Sequence, residues 1–75
     1  MENYIQYLSI NPEIRFGKPC IKDTRIAVVD ILQWLASGMS HADILDDFPT
    51  LQKEHILAAL HFAANRESII KTLAA

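Results

Sequence analysis

From Val28 onward, apolar residues recur at helical spacing. Val28, Ile31, Leu32 and Leu35 fall on one stripe, with Asp30, Gln33 and Ser37 opposite, which predicts a first helix over Val28–Ser37. Gly38 is its stop signal, and Trp34 lies at the edge of the stripe. Ser40-His41-Ala42-Asp43 reads as a capping box with Asp in place of the stronger Glu. It opens a short second helix with Ile44, Leu45 and Phe48 inward and Asp43, Asp46 and Asp47 outward, ended by Pro49. Thr50 is the expected cap of a third helix over Leu51–Ala64, with Ile56, Leu57, Leu60, Ala63 and Ala64 as its core stripe. Its outer face then carries Glu54, His55, Ala58, His61, Phe62 and Asn65. Continuing that helix would put Glu67 inside the stripe. A break near Asn65 and a short fourth helix carrying Ile69, Ile70 and Leu73 are therefore expected.

Upstream the pattern changes. The segment from Tyr4 to Ile10 is rich in aromatic and β-branched residues and ends at Asn11-Pro12, which predicts a strand and a turn. Tyr4, Leu8 and Ile10 take one face and Ile5 and Tyr7 the other, so both faces need cover. Arg15-Phe16 and Cys20-Ile21 make a weaker extended segment, interrupted by Gly17 and Pro19. The expected fold is mainly α: a homeodomain-like, helix-turn-helix-like trihelical domain with a short N-terminal β-arm or hairpin and a short C-terminal helix. It forms one domain over 1–75, with the arm and its turn at 1–27, the trihelical core at 28–65 and a helix or tail at 66–75.

Length and composition sharpen this picture. A chain of 75 residues can build only a small core, yet 51% of it is hydrophobic. Some apolar surface is thus expected to meet another chain. Tyr4, Tyr7, Trp34, Phe62, Ile69, Ile70 and Leu73 are the candidate interface residues, and a homodimer is expected. Phe62 has two open readings: contact with another helix, or cover by the N-terminal strand or last helix of its own chain. The single Cys20 excludes an internal disulfide and fits a reducing compartment. No apolar run is long enough to cross a bilayer. Met1-Glu2-Asn3 does not open a secretory leader, so a cytoplasmic location without membrane attachment is expected.

Charge is segregated. Four of the seven Lys and Arg residues, but only three of the nine carboxylates, precede Ile26. A locally basic arm therefore joins an acidic body of net charge −2. Lys18, Lys22, Thr24 and Arg25 could contact a phosphate backbone, and Lys53 and His55 could add contacts from the third helix. Equally, Arg25 could pair with Asp46 or Asp47 and pin the arm to the second helix, with Thr24 bonding the backbone before the first. The acidic second helix and the few base-reading side chains on the third weigh against groove insertion. His41, His55 and His61 are scattered and show no metal-ligand spacing. Cys20 reads as a small buried apolar residue. No nucleophile–base pair, phosphate loop or carboxylate pair stands out, so no enzyme activity, cofactor, metal or small-molecule substrate is expected.

Gly17-Lys18-Pro19-Cys20-Ile21, then Thr24-Arg25-Ile26-Ala27-Val28, Gly38-Met39-Ser40 and Asp47-Phe48-Pro49-Thr50-Leu51 resemble, in order and spacing, domain-of-unknown-function family 433. The similarity runs from about Ile10 to Ala64. Gly17, Pro19, Thr24 and Arg25 match the family signature. Asp23 stands where the family often has Gly, in a turn that can require positive φ, and Ala27 stands where Pro is common. The resemblance implies a small homeodomain-like antitoxin of the VapB kind, paired with a PIN-like ribonuclease toxin and, as a homodimer, binding its own promoter DNA. A stand-alone DNA-binding regulator and a purely structural dimerisation module are the alternatives.

Overall fold

A computed structural model of the chain describes residues 4–66. The expected fourth helix, with Ile69, Ile70 and Leu73, lies outside the described residues. Three helices follow a short hairpin: β1 (Leu8–Ser9), β2 (Cys20–Ile21), α1 (Val28–Ala36), α2 (His41–Asp47) and α3 (Lys53–Ala64). The architecture is mainly α, as expected. The strands pair antiparallel, Leu8 opposite Ile21 and Ser9 opposite Cys20.

Local chemistry sets the ends of α1 and α2. At the C-terminus of α1, Gly38 adopts φ +104°. Its N–H donates to Leu35 O, and the Met39 N–H donates to Trp34 O. These two bonds form a Schellman motif, which satisfies carbonyls the helix leaves open. At α2 the predicted capping box is complete: Ser40 Oγ accepts from the Asp43 N–H at 3.1 Å, and Asp43 Oδ2 accepts from the Ser40 N–H at 3.0 Å. Ile21, Ile31, Ile44 and Ile56, fully buried, join the hairpin to all three helices.

Two expectations fail, and they share a cause. Tyr4–Tyr7 is a 3-10 turn, and only Leu8–Ser9 is strand. A strand would put Tyr4 and Tyr7 on opposite faces. With three residues per turn, positions i and i+3 eclipse instead, and both rings lie over α3. Tyr4 meets His61 at 5.6 Å and Tyr7 meets His55 edge-on at 5.5 Å between ring centroids. This turn covers a side of α3 that the sequence pattern assigned to the exterior. The buried residues of α3 are Ile56, Ala58, Ala59 and Phe62, whereas Leu60, Ala63 and Ala64 of the expected stripe are exposed. Of the two readings of Phe62, cover within its own fold is the one realised: it is 5% exposed.

The start of α3 also differs. Gln52, not Thr50, is the N-cap, and its N–H donates to His55 Nδ1 at 2.9 Å. Leu51, expected in the helix, is buried just before it.

Candidate interaction surface

The segment joining β1 to α1 is an elbow with an unusual backbone. Arg15, Phe16 and Gly17 have φ of 52°, 59° and 81°, three successive left-handed residues. The turn leading in is fixed by the Ile14 N–H donating to Asn11 O and the Glu13 N–H donating to Asn11 Oδ1. Left-handed conformation at non-glycine residues persists when the surroundings enforce it, and here the enforcing group is Arg15. Its Nη1 donates to Asp30 Oδ2 at 2.8 Å and to Arg25 O at 2.8 Å. Asp30 Oδ2 also accepts from the Ala27 N–H at 3.0 Å, closing the first turn of α1. One carboxylate thus ties the elbow to the helix start. The hydrogen bond from Arg15 holds the Asp30 carboxyl below its ordinary range, and the same bond raises the Arg15 pKa. Ala27 has no side-chain cap to offer, but it supplies the N–H that a proline at this position would lack.

This arrangement corrects one sequence expectation. Arg25 does not pair with Asp46 or Asp47; the only ion pair among the described residues is Arg15–Asp30. Arg25 contributes its carbonyl and leaves its guanidinium exposed. Thr24 does act on the backbone: its Oγ1 donates to Ile21 O at 2.8 Å and accepts from the Ile26 N–H at 3.0 Å. Asp23 has φ +63°, the left-handed turn that its place in the signature suggested. The buried Cys20 thiol points to Lys18 O at 3.3 Å, and desolvation raises its pKa, which keeps it from being a ready nucleophile.

The candidate phosphate-contact residues separate into two groups. Thr24 and His55 work inside the fold. His55 accepts a backbone bond, packs on Tyr7 and is pushed towards the neutral form by desolvation. Lys18, Lys22, Arg25 and Lys53 are exposed. The candidate interface residues divide differently. Tyr4, Tyr7 and Phe62 pack within the chain. Half-buried Trp34 stacks on Phe48 at 4.2 Å and 11°, joining α1 to the end of α2.

The most exposed large apolar side chains among the described residues, Phe16, Val29 and Leu60, are not among the candidate interface residues. Phe16, on the left-handed turn, is 99% exposed. Its signal was a large aromatic directly before a glycine, between Asn11-Pro12 and Pro19, where loops are ordinarily polar. An open groove of about 270 Å³ is walled by Pro19, Val28, Val29 and Leu32 and, from α3, by Phe62, with Lys18 and Arg66 also lining it. On α2, Asp46 and Asp47 are exposed and make no ion pair with a described residue. No group of three or more potential metal ligands converges among the described residues, and no helix among them is long and apolar enough to cross a membrane.

Comparison with known proteins agrees with the signature. The family model described as protein of unknown function, DUF433, matches residues 8–63. A crystal structure of a DUF433 member protein from Anabaena variabilis ATCC 29413 superposes with a TM-score of 0.75 at 29% identity, covering 97% of this chain and 77% of that one. No curated relative matches the chain.

Proposed function

The chain belongs to the DUF433 family of proteins of unknown function, and we propose that it acts there as an antitoxin-like, protein-binding module that neutralises a PIN-like ribonuclease. The observation that carries this reading is the acidic face of α2, which no described residue pairs. Asp46 and Asp47 are exposed, and the one arginine expected to neutralise them, Arg25, does not reach them. A ribonuclease holds a polyanion, so the surface around its RNA groove is basic. An acidic helix face on a small domain complements such a surface, speeds encounter and occludes the substrate path. The same face repels DNA phosphates, so a stand-alone DNA regulator is the weaker reading. Promoter binding then rests on exposed cations such as Lys18, Lys22, Arg25 and Lys53.

The test is co-expression with the product of the neighbouring gene. Co-purification and loss of ribonuclease activity in the complex are expected. The double substitution Asp46→Lys/Asp47→Lys should lower the association rate at least about tenfold at low salt while leaving the fold intact. Failure of any ribonuclease to co-purify or be neutralised would remove the antitoxin reading.

A further inference from the structure

We propose that the elbow is the contact surface for a second copy of this chain, with Phe16 of each copy seated in the groove of the other. This goes beyond the antitoxin reading and does not depend on it.

Phe16 has the properties of a pre-formed knob. It is 99% exposed, and its backbone is held in a left-handed turn rather than free to collapse onto the surface. Its backbone is therefore ordered before binding, and only the two side-chain torsions remain to be fixed. The groove has the properties of its seat. Its walls are the apolar side chains of Pro19, Val28, Val29, Leu32 and Phe62, and its volume of about 270 Å³ exceeds the roughly 150 Å³ that accepts a benzene ring in a protein interior.

Placement points to a copy of the same chain. Only Gly17 separates Phe16 from Lys18 at the groove edge, and three Cα steps, at most about 11 Å, separate it from Pro19 in the wall. Arg15, the residue before the knob, is bonded at 2.8 Å to Asp30, the residue after the groove-wall Val29. Knob and seat therefore flank one loop and are tied to one helix. Pairing two such loops about a two-fold axis satisfies both contacts at once, which is the isologous arrangement of symmetric dimers. Charge fits as well. Glu13 is exposed on the knob's loop without an ion-pair partner among the described residues, and Lys18 and Arg66 edge the seat. Across the axis, Glu13 of one copy faces the cations of the other. With one ring seated on each side, the dimer is small, and its Kd is expected in the micromolar range.

Sedimentation equilibrium from about 1 to about 100 µM tests the assignment on the full chain. Wild type should reach dimer mass. Phe16→Ala removes the knob, and Val29→Glu places a charge in the seat at a surface position 39% exposed. Each should raise Kd at least about tenfold, with circular dichroism unchanged. An equimolar mixture of the two should recover association. The Val29→Glu copy keeps its Phe16, the Phe16→Ala copy keeps its seat, and one of the two contacts forms. Glu13→Lys should weaken the dimer, and Glu13→Lys with Lys18→Glu should restore it. A wild-type monomer throughout this range overturns the proposal, as it leaves the knob and groove to a foreign partner. A dimer indifferent to Phe16→Ala overturns it too, because its interface lies elsewhere. Recovery absent in the mixture would show that the two substitutions act at unrelated places.

Discussion

Replacing Phe16 by glycine should make the isolated chain more stable, although it deletes the largest exposed side chain of the elbow. Two quantities decide the sign. The ring is 99% exposed, so its removal takes away essentially no packing. The backbone is at φ 59°, ψ 32°, a conformation costing a non-glycine L-residue roughly 1–2 kcal/mol. Glycine removes that cost and adds about 0.5–1 kcal/mol of unfolded-state entropy. The net gain is about 0.5–1 kcal/mol, a Tm rise of several degrees for a domain of this size. Phe16→Ala keeps the Cβ and its clash, so it should stay within about 0.5 kcal/mol of wild type.

Trp34, stacked on Phe48 at the junction of α1 and α2, is a fluorescence probe of the folded state. Urea unfolding is best read in the Val29→Glu background at low concentration, where self-association cannot add to apparent stability. Refutation can come in two ways. A destabilised Phe16→Gly would mean that the ring packs or that the turn is relaxed. An equal gain from Phe16→Ala would mean that hiding an apolar ring from water, and not releasing the backbone, accounts for the effect. The expected combination, a better-folded chain that no longer dimerises, is the signature of strain kept for function.

Other outcomes follow from the same geometry. Phe62→Ala should destabilise by about 3–5 kcal/mol and Leu60→Ala by under about 1 kcal/mol; the reverse order by urea unfolding would return α3 to the orientation its sequence stripe suggested. Stability should fall as pH drops below the ordinary histidine value of 6.5, because His55 titrates lower in the fold than in the unfolded chain. Its contribution is complete above 6.5 and lost as pH falls through the folded value, and His55→Gln should flatten this limb. Asp30→Asn keeps an acceptor for the Ala27 N–H but loses the charge facing Arg15, whereas Asp30→Ala loses both. The alanine variant should be the less stable by about 1 kcal/mol. Both should show a smaller acid-induced loss than wild type once pH falls below the ordinary carboxylate value of 3.8, the remainder coming from Asp43, whose carboxyl the Ser40 N–H also holds low.

Helices α1 and α2 were legible in the sequence because their signals are local. A glycine whose positive φ closes a Schellman motif and a Ser–Asp box three residues apart act within one turn of chain. The face of α3 was not legible. Leu57 and Leu60 on one side and Phe62 with Ala58 and Ala59 on the other give two stripes of similar weight. The choice is made by Tyr4 and Tyr7, some fifty residues away in the chain. Their own geometry was hidden because aromatic and β-branched residues favour strand, and only the pairing of positions four and seven over α3 selects a 3-10 turn. Phe16 was hidden for a related reason. Its neighbours Arg15 and Gly17 read as an interrupted strand, and only the bond from Arg15 to Asp30 turns that interruption into a held, outward-facing knob.

The choice between arginines matters most for function. Counting charges along the chain cannot say whether Arg15 or Arg25 is the internal partner, since both belong to the same basic arm. The deciding feature is that Asp30 is already recruited by the Ala27 N–H at the start of α1. This fixes its carboxylate beside the elbow and within reach of Arg15. A carboxylate with two donors is worth more to the fold than a solvated surface pair between Arg25 and Asp46. Once Arg15 is taken, no described residue of the arm neutralises α2, and the molecule has faces of different character. An apolar elbow with a knob and a seat suits a copy of itself. An acidic helix suits a basic partner. The basic arm that sequence alone would aim at DNA thus commits Arg15 to holding the elbow, the surface on which the dimer reading depends.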